Sequence, residues 1–216
     1  HGDELLRSSF YERSWTYTHK KKLIIHTTSS NSPFKGFETI CETLSKLNNI
    51  LDHEVEWQVA GIGIDDSIVK VTKAKLKYRF PKSGLICLGN LNEDELVEKM
   101  CNASIYVSPS HIENSPNSLC EAMMLGMPCI ATFAGGTGSL LQDGVEGILV
   151  QDGDPWVMAG AIFEIHRNAE FAKLLGHRAR VRALERHNKD RIITDLINTY
   201  QEVLACNSEN NNDDDQ

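Results

Sequence analysis

Short apolar runs alternate along this chain with stretches whose apolar residues recur roughly every three to four positions. These are the marks of buried strands and of amphipathic helices. Leu23–Thr28 reads as a first buried strand, and Phe37, Ile40, Cys41, Leu44, Leu47 and Leu51 predict the helix after it. Val55–Ala60 is the next strand, closed by Gly61-Ile-Gly63, and a charged helix starts at Asp65-Asp66. Residues 85–88 predict a third strand and 93–100 a third helix. A fourth strand then runs into a polar loop, an apolar helix and the turn Gly126-Met-Pro128. Residues 128–132 and 147–150 predict the fifth and sixth strands. Asp154-Pro155 is an N-cap followed by proline at the first helical position, and the chain beyond it is helical. Ile192, Ile193, Leu196, Ile197, Tyr200 and Leu204 mark a last amphipathic helix.

Strands alternating with helices predict an α/β fold: a doubly wound, Rossmann-like parallel sheet with helices on both faces and a helical C-terminal extension. Residues 1–22 show no period and read as a linker or the remnant of an upstream domain. Residues 23–186 form the sheet domain, 187–206 a C-terminal helix, and 207–216, rich in Asn and Asp, a disordered tail. The chain starts at His1 rather than Met, which suggests a piece of something longer. In such sheets ligands bind beyond the carboxyl ends of the strands. The loops after Thr28, Ala60, Leu88, Val107 and Thr132 should therefore line one crevice.

Composition narrows the function classes. The chain has 216 residues, is 41% hydrophobic and carries a net charge of −8, so it can bury a core but offers no basic stripe to nucleic acid. No apolar run is long enough to span a bilayer. The six cysteines form no C-x-x-C pair and suit free thiols in a reducing cytosol.

Chemistry concentrates in the loops. Glu113 and Glu121 flank a helix start, the first in the loop and the second about one turn into an otherwise apolar helix. A buried carboxylate needs partners. Pro116 fits the start of that helix, and Ser115, Asn117 and Ser118 offer capping oxygens and amides. Free helix amides suit phosphate, and carboxylates suit hydroxyls. Lys35 precedes a helix and can place a charge on a phosphate, although an exposed first-turn lysine has the same look; Gly36 lets backbone approach a ligand. Gly61-Ile-Gly63 lacks the third glycine of the dinucleotide fingerprint, which leaves a tight turn or a close ligand approach. Gly135-Gly136-Thr-Gly138 suggests a backbone nest, a ligand pressing on the main chain, or a flexible loop. Asp152-Gly-Asp154 reads as a turn with a helix cap rather than a metal motif. His111-Ile-Glu113 lacks the P-C-x-x-C of zinc deaminases, Ser108-Pro-Ser110 lacks elbow glycines, and His26 reads as a core or crevice-edge residue.

Glu113-x7-Glu121, with Ala122, Gly126, Pro128 and Thr132 behind it, resembles the E-x7-E signature of retaining GT-B glycosyltransferases, group 1 (family 4). Lys35-Gly36 is similar to that family's Lys-Gly after the first strand of its C-terminal domain. The Gly135-Gly136 loop and Asp143-Gly144-Val-Glu-Gly147-Ile-Leu-Val150 resemble its next block, so the likeness spans roughly residues 23–165 in order. Two positions depart from the pattern. Ser29-Ser30 stands where the family often has Gly-Arg, and Ser139 where a glutamate is common.

The resemblance implies a C-terminal, donor-binding domain whose acceptor-binding partner domain is missing from this chain. Glu121 would accept the ribose hydroxyls and Glu113 would contact the transferred sugar. Lys35 would neutralise the diphosphate, and amides near Asn114, Ser115, Pro116 and Asn117 would place sugar and phosphate. Gly36, Gly61, Gly135 and Gly136 would lie against the donor. The expected partners are a nucleotide sugar and an acceptor saccharide or glycolipid held by the missing domain, with no cofactor, metal, nucleic acid or membrane span. The expected location is the cytoplasm or, by peripheral contact, the inner face of a membrane, and the role polysaccharide assembly. The isolated chain should be inactive. The alternatives are a non-catalytic sugar-nucleotide-binding module or partner subunit, and a phosphorylase or epimerase acting on nucleotide sugars.

Overall fold

A computed structural model describes residues 7–18 and 21–210, with the side chains of 205–210 left aside. Six parallel strands form one sheet: β1 (Leu23–Thr28), β2 (Val55–Ala60), β3 (Leu85–Gly89), β4 (Ile105–Ser108), β5 (Cys129–Thr132) and β6 (Gly147–Val150). Their spatial order is β3-β2-β1-β4-β5-β6. The chain winds outward from β1 to β3, then returns to place β4 beside β1. The predicted Rossmann-like, doubly wound sheet is therefore the fold. Its order reverses between β1 and β4, the place where ligands bind in sheets of this kind.

The central strands are largely buried on both faces because both are covered. Leu23, Ile25, Trp57, Val59, Ile105 and Val107 belong to one core, closed by α2 (Phe37–Ile50), α3 (Ser67–Leu76) and α7 (Pro155–Arg167). Tyr106, Cys129 and Ala131 face the other core, with α4 (Glu93–Cys101) and α5 (Asn117–Leu125). α8 (Ala169–Arg186) lies against α5, and the short α6 (Thr137–Leu140) follows β5. Cys41, Cys87, Cys101, Cys120 and Cys129 are free thiols. Asp154 caps α7 as expected, its carboxylate accepting the N–H groups of Trp156 and Val157.

The ends of the chain differ from the sequence reading. The described part of the segment before β1 is docked on the sheet domain. Its helix α1 (Ser8–Glu12) buries Phe10 completely in the α4–α5 core. Trp15 N–H donates to the Leu125 carbonyl, and its indole N–H donates to the Ala103 carbonyl. The aperiodic sequence hid this because the segment is anchored by one buried side chain, Phe10, and by scattered hydrogen bonds that leave no period. At the other end, α9 (Lys189–Asn210) stays helical through 207–210, where a tail without order was expected; 211–216 lie outside the described residues, as do 1–6 and 19–20. The stripe Ile193, Leu196, Ile197, Tyr200 and Leu204 predicted that helix, and these side chains are exposed. Among the described residues, no helix is long and apolar enough to cross a membrane.

Candidate functional site at the sheet crevice

The loops after β1, β4 and β5 are tied edge to edge, and backbone contacts do most of the tying. A tight turn, Pro33–Lys35, follows β1 and ends at Gly36 with φ +69°. A Cβ at Gly36 would come within 1.9 Å of the Pro109 carbonyl oxygen. Glycine is thus required here by both dihedral and space. His111 N–H donates to the Phe34 carbonyl at 2.8 Å, which fixes the same two loops further out. The close approach that Gly36 permits here is that of the neighbouring loop.

The glycine loop after β5 works the same way. Gly135 has φ +51°, and a Cβ there would come within 1.7 Å of the Glu113 carbonyl oxygen. Gly136 N–H donates to that same carbonyl at 3.1 Å. What presses on these glycines is the Glu113–Asn114 backbone, so the loop after β5 sets the height of Glu113. Gly61, at φ +84°, is pressed by the Ser29 carbonyl and serves as the turn that joins the loops after β1 and β2.

These ties place the side chains. Lys35 Nζ donates to Glu113 Oε2 at 2.8 Å, with the lysine side chain 33% exposed and the carboxylate 10%. Glu121 stands one turn into α5, and only 8% of it is exposed. Burial pushes its carboxyl above the usual carboxylate range; Arg7 pulls it back, and Glu93 adds to the rise. Arg7 donates to Glu121 Oε1 at 2.7 Å. Pro116 is the N-cap of α5 and makes no side-chain capping hydrogen bond. Asn114 and Asn117 are exposed, Ser115 is half-buried and Pro116 is buried, all at the mouth of that helix.

Two features escaped the sequence reading. Arg7 comes from a segment without periodicity, and nothing in its neighbours points to a carboxylate far along the chain. His111 bridges two acids, Nδ1 at 2.5 Å from Asp152 Oδ1 and Nε2 at 3.4 Å from Glu38 Oε1, and so ties the loops after β4 and β6 to α2. Among the described residues, no group of three His, Cys, Asp or Glu is placed to hold a metal ion. A separate cavity of about 350 Å³ lies among Trp15, Tyr17, Lys22, His53, Ser104 and His166, at the N-terminal ends of β1 and β4. It is at the opposite edge of the sheet and shares no residue with the crevice.

The family model for glycosyl transferases group 1 matches residues 21–168, most of the chain and all of the crevice except Arg7. The chain belongs to the group 1 glycosyl transferases. N-acetyl-alpha-D-glucosaminyl L-malate synthase of Bacillus anthracis is 29% identical over 193 residues, covering 89% of this chain and 49% of its own. The structure of Anabaena HepE with UDP and glucose superposes with a TM-score of 0.74 at 20% identity, covering 84% of this chain and 48% of HepE. The C-terminal domain of a group 1 family glycosyl transferase (LpcC) from Francisella tularensis superposes at 0.64 with 18% identity, covering 83% of this chain and 92% of that one. The chain spans half or less of the length of the curated relatives it matches.

Proposed function

We propose that this chain is the donor-binding half of a retaining glycosyltransferase of family 4. It would move a sugar from a nucleoside diphosphate sugar to a hydroxyl acceptor. The observation that carries this reading is the α5 N-terminus: its N-cap, Pro116, makes no side-chain capping hydrogen bond, it follows β4 at the reversal of the sheet order, and Glu113 and Glu121 stand on either side of it. Uncapped helix amides and the helix dipole favour a phosphate, and carboxylates favour hydroxyls.

In this reading Glu121 accepts the ribose hydroxyls and Glu113 meets the hydroxyls of the sugar to be moved. Asn114, Ser115, Pro116 and Asn117 present backbone around the sugar and the diphosphate. As the bond to the anomeric carbon lengthens, the ring gains oxocarbenium character and negative charge builds on the departing diphosphate. Lys35 and the α5 amides stabilise that charge from fixed positions, an effect worth on the order of ~3 kcal/mol for one such donor. Before the donor arrives, Lys35 is neutralised by Glu113, so the diphosphate must take the lysine from the carboxylate. The glycines hold the loops in place and leave the contacts to these side chains. Incoming acceptor, saccharide or glycolipid, would be presented by a second domain across the crevice, on the cytoplasmic side of the membrane.

Support comes from three directions: the family membership, the fold shared with a protein solved with UDP and glucose, and the match to an isolated C-terminal domain. Calorimetric titration with UDP, GDP, ADP and their sugars tests it. One nucleotide should bind, and Glu121→Ala should abolish that binding. Absence of binding by all of them would remove the reading.

A further inference from the structure

The segment before β1 reaches the crevice through one side chain. Arg7 immediately precedes α1 and donates to Glu121 Oε1 at 2.7 Å. Its guanidinium lies 5.1 Å from the centre of the Phe10 ring, and Phe10 is wholly buried. The segment is held at several other points. Ser9 N–H donates to Glu93 Oε1 at 3.1 Å, which anchors it on α4. Arg180 of α8 donates to the carbonyls of Tyr11, Arg13 and Met124, joining segment, α8 and α5. Tyr11 O–H donates to the His187 carbonyl. Arg7 is thus delivered to Glu121 by a docked element and does not simply sweep through solvent.

We infer that Arg7 is a positioning residue of the donor site, holding Glu121 by one oxygen so that the other is turned to the crevice to accept a ribose hydroxyl. The inference rests on the proposed role of Glu121. A carboxylate offers about four acceptor sites, and Arg7 takes one. Among the described residues, Glu121 Oε2 accepts no hydrogen bond and is left for a ligand. The pair has a second consequence. Burial opposes the charge on Glu121 and Glu93 opposes it further, whereas Arg7 favours it. Tyr106 is the other titratable neighbour; burial first, and Glu121 after it, keep its phenol protonated. Arg7 is therefore the one group among these that favours the acceptor form of Glu121. The family's frequent arginine after the first strand is absent here, where Ser29-Ser30 stands. Arg7 adds a second cation to Lys35 at this crevice, and it comes from an element outside the 21–168 family match.

The test compares UDP with 2′,3′-dideoxy-UDP, by calorimetry, on wild type, Arg7→Ala, Arg7→Lys and Glu121→Gln. Arg7→Ala should weaken UDP binding by about tenfold, the scale of one charged hydrogen bond. It should leave the dideoxy nucleotide unaffected, because that ligand has no ribose hydroxyl to lose. Arg7→Lys should recover part of the affinity. The acid limb of the UDP affinity-against-pH curve should move to higher pH in Arg7→Ala, a shift that loose docking of α1 alone does not produce. An equal loss for both nucleotides makes Arg7 a structural anchor and overturns the inference. Tighter UDP binding by Arg7→Ala makes it an obstruction and also overturns it. If Glu121→Gln loses UDP while Arg7→Ala binds as wild type, the donor-site reading stands and only Arg7 is removed. If wild type binds no nucleotide, the donor-site reading falls and the role of Arg7 falls with it.

Discussion

Lys35 and Glu113 are 78 residues apart in sequence and 2.8 Å apart at the crevice. Each stands on a loop at the point where the sheet order reverses, and each loop is fixed by a glycine pressed against a carbonyl. The lysine is one-third exposed, so the pair is screened and adds about 0–1 kcal/mol to folding. In the proposed reading, its value lies in keeping an ammonium and a carboxylate where a sugar diphosphate can exchange with them. Lys35→Ala should therefore leave the melting temperature nearly unchanged and lower turnover in the intact enzyme by at least about tenfold. Steady-state kinetics beside a thermal melt checks both, and unchanged turnover would take Lys35 out of the mechanism.

In the proposed reading, Glu113 opposes the diphosphate even as it serves the sugar. Glu113→Gln removes a negative charge from beside Lys35 and frees the lysine for phosphate. UDP alone should then bind several-fold more tightly, while transfer of the sugar slows. Titration with UDP and an assay with the intact donor should move in opposite directions. A variant that loses both equally would show that Glu113 only shapes the loop.

The glycines separate strain from freedom. Gly135→Ala places a Cβ within 1.7 Å of the Glu113 carbonyl at φ +51°, so loop and residue must both move. It should cost about 1–3 kcal/mol in urea unfolding and reduce turnover by displacing Glu113. Gly160 is the control, because an added Cβ on this exposed α7 position meets nothing within 4 Å. Gly160→Ala should stabilise the chain by about 0.5–1 kcal/mol and leave turnover as it was.

Much of this was legible in the sequence, for physical reasons. Strands buried on both faces are rich in apolar residues, so β1, β2, β4 and β5 announce themselves even though β1 carries His26 and β2 carries Glu56 and Gln58. Glu121 stood out because its helix is otherwise apolar. Lys35 and Glu113 followed from a family pattern that preserves the order of the loops. What stayed hidden depends on distant parts of the chain meeting. Gly135 and Gly136 were visible as unusual, but the sequence does not say that their neighbour is the chain's own Glu113 carbonyl. Arg7 lies in a segment without period, and only the docking of Phe10 brings it to Glu121. The sequence alone sets His111 aside as a metal motif, but only the fold shows Asp152 and Glu38 beside it.

Glu121 should show the opposition between function and stability. Its folded pKa is raised, burial being the larger cause and Arg7 a partial offset. A group raised on folding favours the native state at low pH, and that contribution is lost as pH rises through the folded value. Above the folded value the ionised carboxylate thus costs stability, and in the proposed reading that cost accompanies an acceptor for the ribose. Glu121→Gln should melt no lower than wild type at pH 7.5, and the two should converge as the pH falls below the usual carboxylate range. Nucleotide binding should be lost in the same protein. A large drop in melting temperature at pH 7.5 would show that the Arg7 pair stabilises the fold more than burial costs it.

His26 sets an acid limit on the fold. It sits on β1, fully buried and stacked on Tyr106, and its Nδ1 has no protein partner. Burial lowers its pKa to about 4, with Gln58 pulling upward and Lys99 downward. The native state therefore holds the neutral imidazole, while the unfolded chain binds a proton near pH 6.5. The sign follows: stability is full above pH 6.5 and drains away as the pH falls toward 4, by up to about 3 kcal/mol for one such group. His26→Gln keeps a polar side chain that cannot titrate, so it should flatten the stability profile between pH 6.5 and 4 even if it lowers the plateau. Urea midpoints at half-unit steps of pH measure both curves. Parallel slopes for the two proteins would place the acid sensitivity elsewhere in the chain.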